Sequence, residues 1–304
     1  MKARLALIAI LLVTLTSACQ PASQPSTQGG QVRVVAVESF LADLAQNVAG
    51  SRLKVETLMP LGADPHEYEP TPQDLAKISN SSLLIVNGGG IEYWLQKSLQ
   101  NAGGQHLVIT ASQGLKSRPV PGGSSTGEPV DPHFWLDPNL AIHYVDTIRD
   151  GLIQVDPAGA STYRQNADRY TASLKSLDAW IRTQVETIPP ARRLLVTNHE
   201  ALGYYADRYG FRIVGTVIPS VSTEAAPSAR QLADLITAIR QTGTPAIFLE
   251  KGSNPQLADQ IAQETGVKVV NDLYLETLTP PGGPAPNYLS MMRYDTTVIV
   301  GALR

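Results

Sequence analysis

Apolar residues along this chain alternate between two spacings. Short aliphatic and β-branched runs at residues 32–37, 53–59, 83–87 and 106–109 have the length and composition of buried strands. Between them, residues 40–48, 73–79 and 91–100 read as helices. A Pro-, Gly- and Ser-rich stretch at 117–132 predicts a loop, and a helix is expected over 139–153. The alternation resumes with strands at 194–197, 211–218, 246–249 and 267–270. Helices at 200–209, 228–241, 256–265 and 287–303 accompany them. Strands alternating with helices imply mostly parallel sheets covered on both faces.

One stretch is much longer than its neighbours. Tyr163, Ala167, Tyr170, Leu174, Leu177, Ile181, Val185 and Ile188 follow one another at steps of three or four residues, as one face of a helix requires. Pro157 suits a first helical turn, and Pro189-Pro190 ends the pattern. A helix of this size would reach roughly 45 Å, too far for a connector within one lobe. The expected fold class is therefore α/β: two β/α lobes with mostly parallel sheets, joined by one long rigid helix. The corresponding division is an N-terminal lobe over 32–155, a connecting helix over 156–188 and a C-terminal lobe over 189–304.

The first residues form a separate object. Lys2 and Arg4 precede an almost wholly apolar run from Leu5 to Leu15, followed by Thr16-Ser17-Ala18-Cys19. This is a signal-peptide pattern over 1–19, too short for an ordinary membrane span. Cys19 at its end makes a lipoprotein signal the expectation, with Cys19 the lipidated first residue of the mature chain. The place three residues before it, where a lipobox usually carries Leu, is Thr16. Residues 20–31 (QPASQPSTQGGQ) bury little and should be a flexible linker. The protein is then exported, to the periplasm or the outer face of the cytoplasmic membrane, and lipid-anchored.

Composition narrows the chemistry. Of 304 residues 43 % are hydrophobic and 17 % charged, with net charge −3, which suits a globular protein. No clustering of Lys and Arg marks a nucleic-acid surface. Cys19 is the single cysteine, so the mature fold has no internal disulfide. A metal site would have to be built from histidines and carboxylates.

Three of the five histidines have metal-like settings. His66 lies in Gly62-Ala63-Asp64-Pro65-His66-Glu67, beyond a strand. His133 lies in Asp131-Pro132-His133-Phe134-Trp135-Leu136-Asp137-Pro138. His199 lies in Thr197-Asn198-His199-Glu200, straight after a strand. Open parallel sheets bind ligands beyond the carboxyl ends of their strands, and neutral imidazole is a good ligand for Zn²⁺ and similar metals. Asp64, Asp131 and Asp137 are candidates to orient imidazole N–H groups. Trp135, Tyr68 and Tyr274 are candidates to wall the site. No short motif such as HExxH is present, so the inference rests on the three contexts together. His106 reads as a surface residue and His143 as structural.

Five segments in order, ADPHEYEPTPQD (63–74), DPHFWLDP (131–138), VTNHEALGYYADRYG (196–210), EAAPSARQLADLI (224–236) and NYLSMMRYD (287–295), carry a further signal. Through them the mature chain resembles the zinc/manganese solute-binding proteins of ABC importers, the ZnuA/TroA-like cluster. The resemblance implies two β/α lobes joined by a long helix, a metal at the lobe interface, and ligand roles for His66, His133 and His199. It implies a fourth ligand, usually Asp, in a loop before the last helix. Here that loop reads Leu273-Tyr274-Leu275-Glu276-Thr277-Leu278, so Glu276 takes the position, with Asp272 a nearby competitor. Manganese members commonly carry Glu at the third position and zinc members His, as here. The His-rich loop of many zinc importers has no counterpart in residues 117–132. Glu250 matches an acidic position of the family.

The expected function is capture of Zn²⁺ at the lobe interface and delivery to an ABC permease, without enzymatic activity and as a monomer. Mn²⁺ is the alternative cargo. A zinc-dependent hydrolase, with Glu276 or Glu200 as base, is the alternative of another class. An adhesion role, which some relatives combine with metal binding, has no sequence feature to test it.

Overall fold

The computed structural model describes residues 32–120 and 130–304. The expected signal peptide, the linker and Cys19 lie outside them. Val32–Arg304 forms one compact unit.

Its first half places β1 (Val34–Ala36), α1 (Ser39–Ala49), β2 (Val55–Thr57), α2 (Pro72–Ser79), β3 (Leu83–Val86), α3 (Leu95–Ala102), β4 (Leu107–Thr110) and α4 (Pro138–Val155) in chain order. After α5 (Ala160–Glu186) come β5 (Leu194–Thr197), α6 (Gly203–Tyr209), β6 (Arg212–Thr216), α7 (Ala229–Thr242), β7 (Ala246–Glu250), α8 (Gln256–Thr265), β8 (Lys268–Leu273) and α9 (Tyr288–Leu303). The strands make two four-stranded sheets, ordered β2-β1-β3-β4 and β6-β5-β7-β8. Every pairing is parallel. The fold is thus the two-lobed α/β architecture expected from the alternation, and the two sheets share one topology.

That topology creates the site. In each sheet the strand order reverses beside the first strand, between β1 and β3 and between β5 and β7. Neighbouring loops leave in opposite directions there and open a crevice at the strands' carboxyl ends. Local signals set the element ends. Thr71 and Asp74 form a capping box at α2, and Ser228 and Gln231 form one at α7. Asp137 caps α4 ahead of Pro138, and Asn287 caps α9. The helix expected from Glu200 instead begins at Gly203. Residues 200–202 form a turn, because the Glu200 N–H bonds to the Ser220 carbonyl at 2.9 Å and not along a helix.

The stripe read on α5 is the buried stripe: Tyr163, Ala167, Tyr170, Leu174, Leu177, Ile181 and Val185 all face inward. They join a single apolar core that contains residues of both sheets' inner faces together with α1, α4 and α9. The outer faces have smaller separate clusters, around Ile78 and Leu84 in the first lobe and Ile247 and Ile261 in the second. α5 therefore packs as part of a core common to both lobes. Among the described residues, no helix is long and apolar enough to cross a membrane.

Leu177 is fully buried in this shared core. Leu177→Ala is expected to lower the unfolding free energy by about 2–5 kcal/mol. Urea denaturation should show the loss as one shifted transition for both lobes.

Candidate metal centre

Four loops deliver four side chains to the crevice. β2 runs on beyond its last residue, as Leu58 and Met59 still donate to the carbonyls of Ala36 and Val37 at 2.8 and 3.1 Å. The chain then turns through Asp64-Pro65-His66, where the Asp64 carboxylate accepts the His66 backbone N–H at 2.8 Å. The Trp94 indole N–H holds the Pro65 carbonyl at 3.1 Å. Asp131-Pro132-His133 repeats this turn. Asp131 Oδ1 accepts the His133 backbone N–H at 3.1 Å, and the Asn87 amide holds the Pro132 carbonyl at 3.0 Å. Asp131 Oδ1 also lies 2.9 Å from His133 Nδ1, which fixes the imidazole with Nε2 facing the crevice.

His199 leaves the end of β5, where the Thr197 hydroxyl donates to its carbonyl at 2.7 Å. Its Nδ1 sits 3.2 Å from Oε1 of Glu250, the last residue of β7. Glu276 comes from the loop after β8, tied down on three sides. The Trp135 indole donates to the Leu275 carbonyl at 2.8 Å, the Tyr274 N–H to Asp295 at 2.9 Å, and the Leu278 N–H to the Ser39 hydroxyl at 2.9 Å. Trp135 and Ser39 belong to the first lobe and the Glu276 loop to the second, so the loop is part of the lobe contact.

All three Nε2 atoms converge on one carboxylate oxygen. Glu276 Oε1 lies 3.1 Å from that of His133 and 3.3 Å from those of His66 and His199. The Nε2 atoms of His133 and His199 are 3.2 Å apart. One prospective ligand atom from each residue lies within 4.8 Å of all the others. Exposure is 0 % for His133 and His199, 3 % for His66 and 9 % for Glu276. His66 Nε2 is buried without a properly directed hydrogen bond. Three inward imidazole nitrogens, one of them orphaned, around one carboxylate make a donor set that a divalent transition-metal cation fits.

Burial and neighbouring charge oppose one another at this site. Burial by itself would raise Glu276, but the charge of His66 and hydrogen bonds from His133 and His199 hold it well below the ordinary carboxylate range. Burial opposes charge on His199 too, yet Glu250 and Glu276 raise it well above its ordinary value. His133 is raised in the same way, against burial, by Asp131 and Glu276.

The other sequence candidates divide. Glu250 stands beside His199 Nδ1 at 3.2 Å without a properly directed hydrogen bond. Asp272 is elsewhere, bonded to Lys251 at 3.2 Å and to the Tyr294 hydroxyl at 2.5 Å. Of the aspartates expected to orient rings, Asp131 faces one. Asp64 instead fixes a backbone amide, and Asp137 accepts the Asn139 N–H at the start of α4 at 2.8 Å. Trp135 packs against His133 with ring centroids 5.3 Å apart. Tyr68 turns to Asp74 at 2.7 Å, and Tyr274 packs on Tyr294. Glu200 is buried but takes no place among the converging atoms. His143 faces the Gln113 carbonyl at 2.7 Å, and His106 lies outside the site.

Several supporting residues carry no sequence signal. Arg118, in the loop read only as Pro/Gly-rich, pairs with Asp207 at 3.0 Å and reaches Asp131 at 3.5 Å. Tyr204 donates to the Asp131 carbonyl at 2.9 Å. Glu38 and Glu92 lie buried together at the first sheet's crevice. Glu92 accepts the Asn87 and Gly88 N–H groups, and burial together with the neighbouring Glu92 pushes Glu38 well up. Only the fold brings these residues near the ligands.

Removing the central charge tests the network. In metal-free protein, the raised histidines stabilise the fold below the ordinary imidazole range and lose that contribution as pH rises through their raised values. Lowered Glu276 contributes above the ordinary carboxylate range and loses it as pH falls through its lowered value. Glu276→Gln should therefore lower the pKa of both His199 and His133, read from NMR titration of the imidazole resonances. Unmoved titrations would show that Glu276 does not set them.

Comparison with known proteins places these features in a group. Residues 34–302 match the family described as "Zinc-uptake complex component A periplasmic". The chain is 30 % identical over 297 residues to the manganese-binding lipoprotein MntA of Halalkalibacterium halodurans, covering 97 % of each chain. It is 32 % identical over 286 residues to the iron-binding protein YfeA of Yersinia pestis, covering 94 % of this chain and 90 % of that one. The solved periplasmic zinc-binding protein TroA of Treponema pallidum superposes with a TM-score of 0.81 at 27 % identity, covering 90 % of this chain and 99 % of that one.

Proposed function

The chain belongs to the periplasmic zinc-uptake component A family, and on that premise we propose that it captures one divalent first-row cation between its lobes and hands it to an ABC permease. The observation that carries this reading is the convergence of His66, His133, His199 and Glu276, from both lobes, onto one buried point. Four protein donors leave no position for an activated water, so the arrangement suits holding a cation and not hydrolysis. The name of the H. halodurans relative supports lipid anchoring, which here falls to Cys19 and would keep the protein beside its permease.

Within this reading we assign zinc as the preferred cargo. Three imidazoles and one carboxylate suit a borderline cation, whereas manganese favours more oxygen donors. Manganese is the second reading, favoured by a manganese-binding relative aligned along nearly the whole chain. Glu276 bears on both, because a carboxylate can offer its second oxygen to a cation that requires a higher coordination number.

Zinc titrated into metal-free protein should bind at one per chain, and X-ray absorption should show three nitrogen ligands and a carboxylate without a persistent water. His199→Glu should weaken zinc relative to manganese, and an unchanged preference in competition dialysis would remove His199 as the selector. Because the raised histidines hold protons that a cation must displace, affinity should fall as pH drops. Calorimetry in buffers of different ionisation enthalpy should record the released protons.

A further inference from the structure

The two Asp-Pro-His turns are alike at the ligand and unlike at the lobe boundary. In both, one carboxylate oxygen of the aspartate holds the backbone N–H of the histidine two residues on. Asp131 is fully buried, with its carbonyl held by Tyr204 of α6, and its apolar surroundings belong to the shared core. Asp64 is half-buried and stands on the wall of a cavity of about 600 Å³. Thr223, Glu250, Lys251 and Tyr274 also line this cavity, which reaches inward to Glu276.

Across this cavity the lobes meet through polar contacts. The Thr223 hydroxyl, from the segment between β6 and α7, donates to Asp64 Oδ2 at 2.8 Å. The hydroxyl of Tyr93, itself 60 % exposed, donates to Glu224 at 2.9 Å, and the Gly62 N–H donates to the Thr277 hydroxyl at 2.8 Å. Parting two wetted hydrogen-bonding surfaces exchanges one set of hydrogen bonds for another, whereas parting the other wall would expose apolar core. The lobes therefore open most easily along the cavity. Asp64 joins that movement to the ligands, since the carboxylate that accepts from Thr223 also sets the backbone of His66.

We propose that Thr223 is a positioning residue for His66. Its hydroxyl, donated across the lobe boundary to Asp64, latches the cavity shut and holds the His66 loop in its ligating place, so that this bond governs how fast the cation leaves. Tyr93, bonded to Glu224 next in the chain after Thr223, adds a second, more exposed tie between the lobes. The inference rests on the cation-binding reading above.

The test uses the mature chain loaded with zinc and chased with a large excess of a chromophoric chelator under stopped flow. Thr223→Val keeps the shape and removes the donor, and should raise the dissociation rate about three- to tenfold. Thr223→Ser restores the donor and should release zinc within about twofold of wild type. Tyr93→Phe, at an exposed position where folding is not at stake, should raise the rate by a smaller factor. Zinc ligation by X-ray absorption and the melting temperature of metal-free protein should stay unchanged in all three, which separates a latch from a general loss of structure. If wild type holds one zinc but Thr223→Val releases it at the wild-type rate, the latch is overturned and the cation-binding reading stands. A lowered metal-free melting temperature at an unchanged release rate overturns it in favour of a purely structural role. Wild type that retains neither zinc nor manganese would sink the cation-binding reading itself.

Discussion

Glu276 is the charge around which the rest of this structure is arranged. A carboxylate this deeply buried is costly unless opposite charge or hydrogen-bond donors meet it. Here the three histidine Nε2 atoms meet one of its oxygens, two from the first lobe and one from the second. The carboxylate can rest among them only while something positive stands nearby. In the metal-free protein the surrounding histidines, with His133 and His199 raised above their ordinary values, stand in that place, and a divalent cation would fill it in the loaded one. The same constraint explains the surrounding polar framework. Asp131 fixes the far side of the His133 imidazole, Glu250 stands behind that of His199, and Trp135, Asp295 and Ser39 fix the backbone on either side of Glu276.

A site divided between two lobes is only as well defined as the lobes are relative to each other. The core around α5 settles most of that geometry, because its stripe of large side chains is continuous with α1, α4 and α9. Separating the lobes along this side would expose apolar surface at a cost of roughly 25 cal/mol per Å². The cavity side is joined instead by a few hydrogen bonds between polar groups. This asymmetry of apolar back and polar front makes the cavity side the less costly one to part.

Much of the architecture was legible in the residue pattern. The spacing of Tyr163 to Val185 marked the long helix, because a buried helical face has to repeat every three or four residues. The aliphatic runs marked strands of parallel sheets, because such strands are covered on both faces. The Pro-His dipeptides and the strand-terminal His199 marked three of the converging side chains by context, and resemblance to a family added Glu276. Less was legible where a residue's role depends on a partner distant in sequence. Asp64, Asp131 and Asp137 look equivalent along the chain, yet one fixes an amide, one an imidazole and one a helix end. Arg118 sat in a loop read as featureless, and Tyr204 within a helix whose start was placed three residues early.

What the sequence by itself determined is therefore the set of elements and the three histidine candidates, since periodicity, turn chemistry and side-chain basicity are local properties. Tertiary structure alone decided which donors share a point and what stands behind each of them. Two sheets of equal topology had to be set with their crevices facing before His66, His133, His199 and Glu276 could meet. The choice of Glu276 over Asp272 followed from the same packing. Asp272 is on β8 and turns outward to Lys251 and Tyr294, while Glu276 lies beyond the strand's end in a loop that Trp135 draws across the boundary. A difference of four residues in one chain became a difference between surface and centre because the other lobe supplied the hydrogen bond.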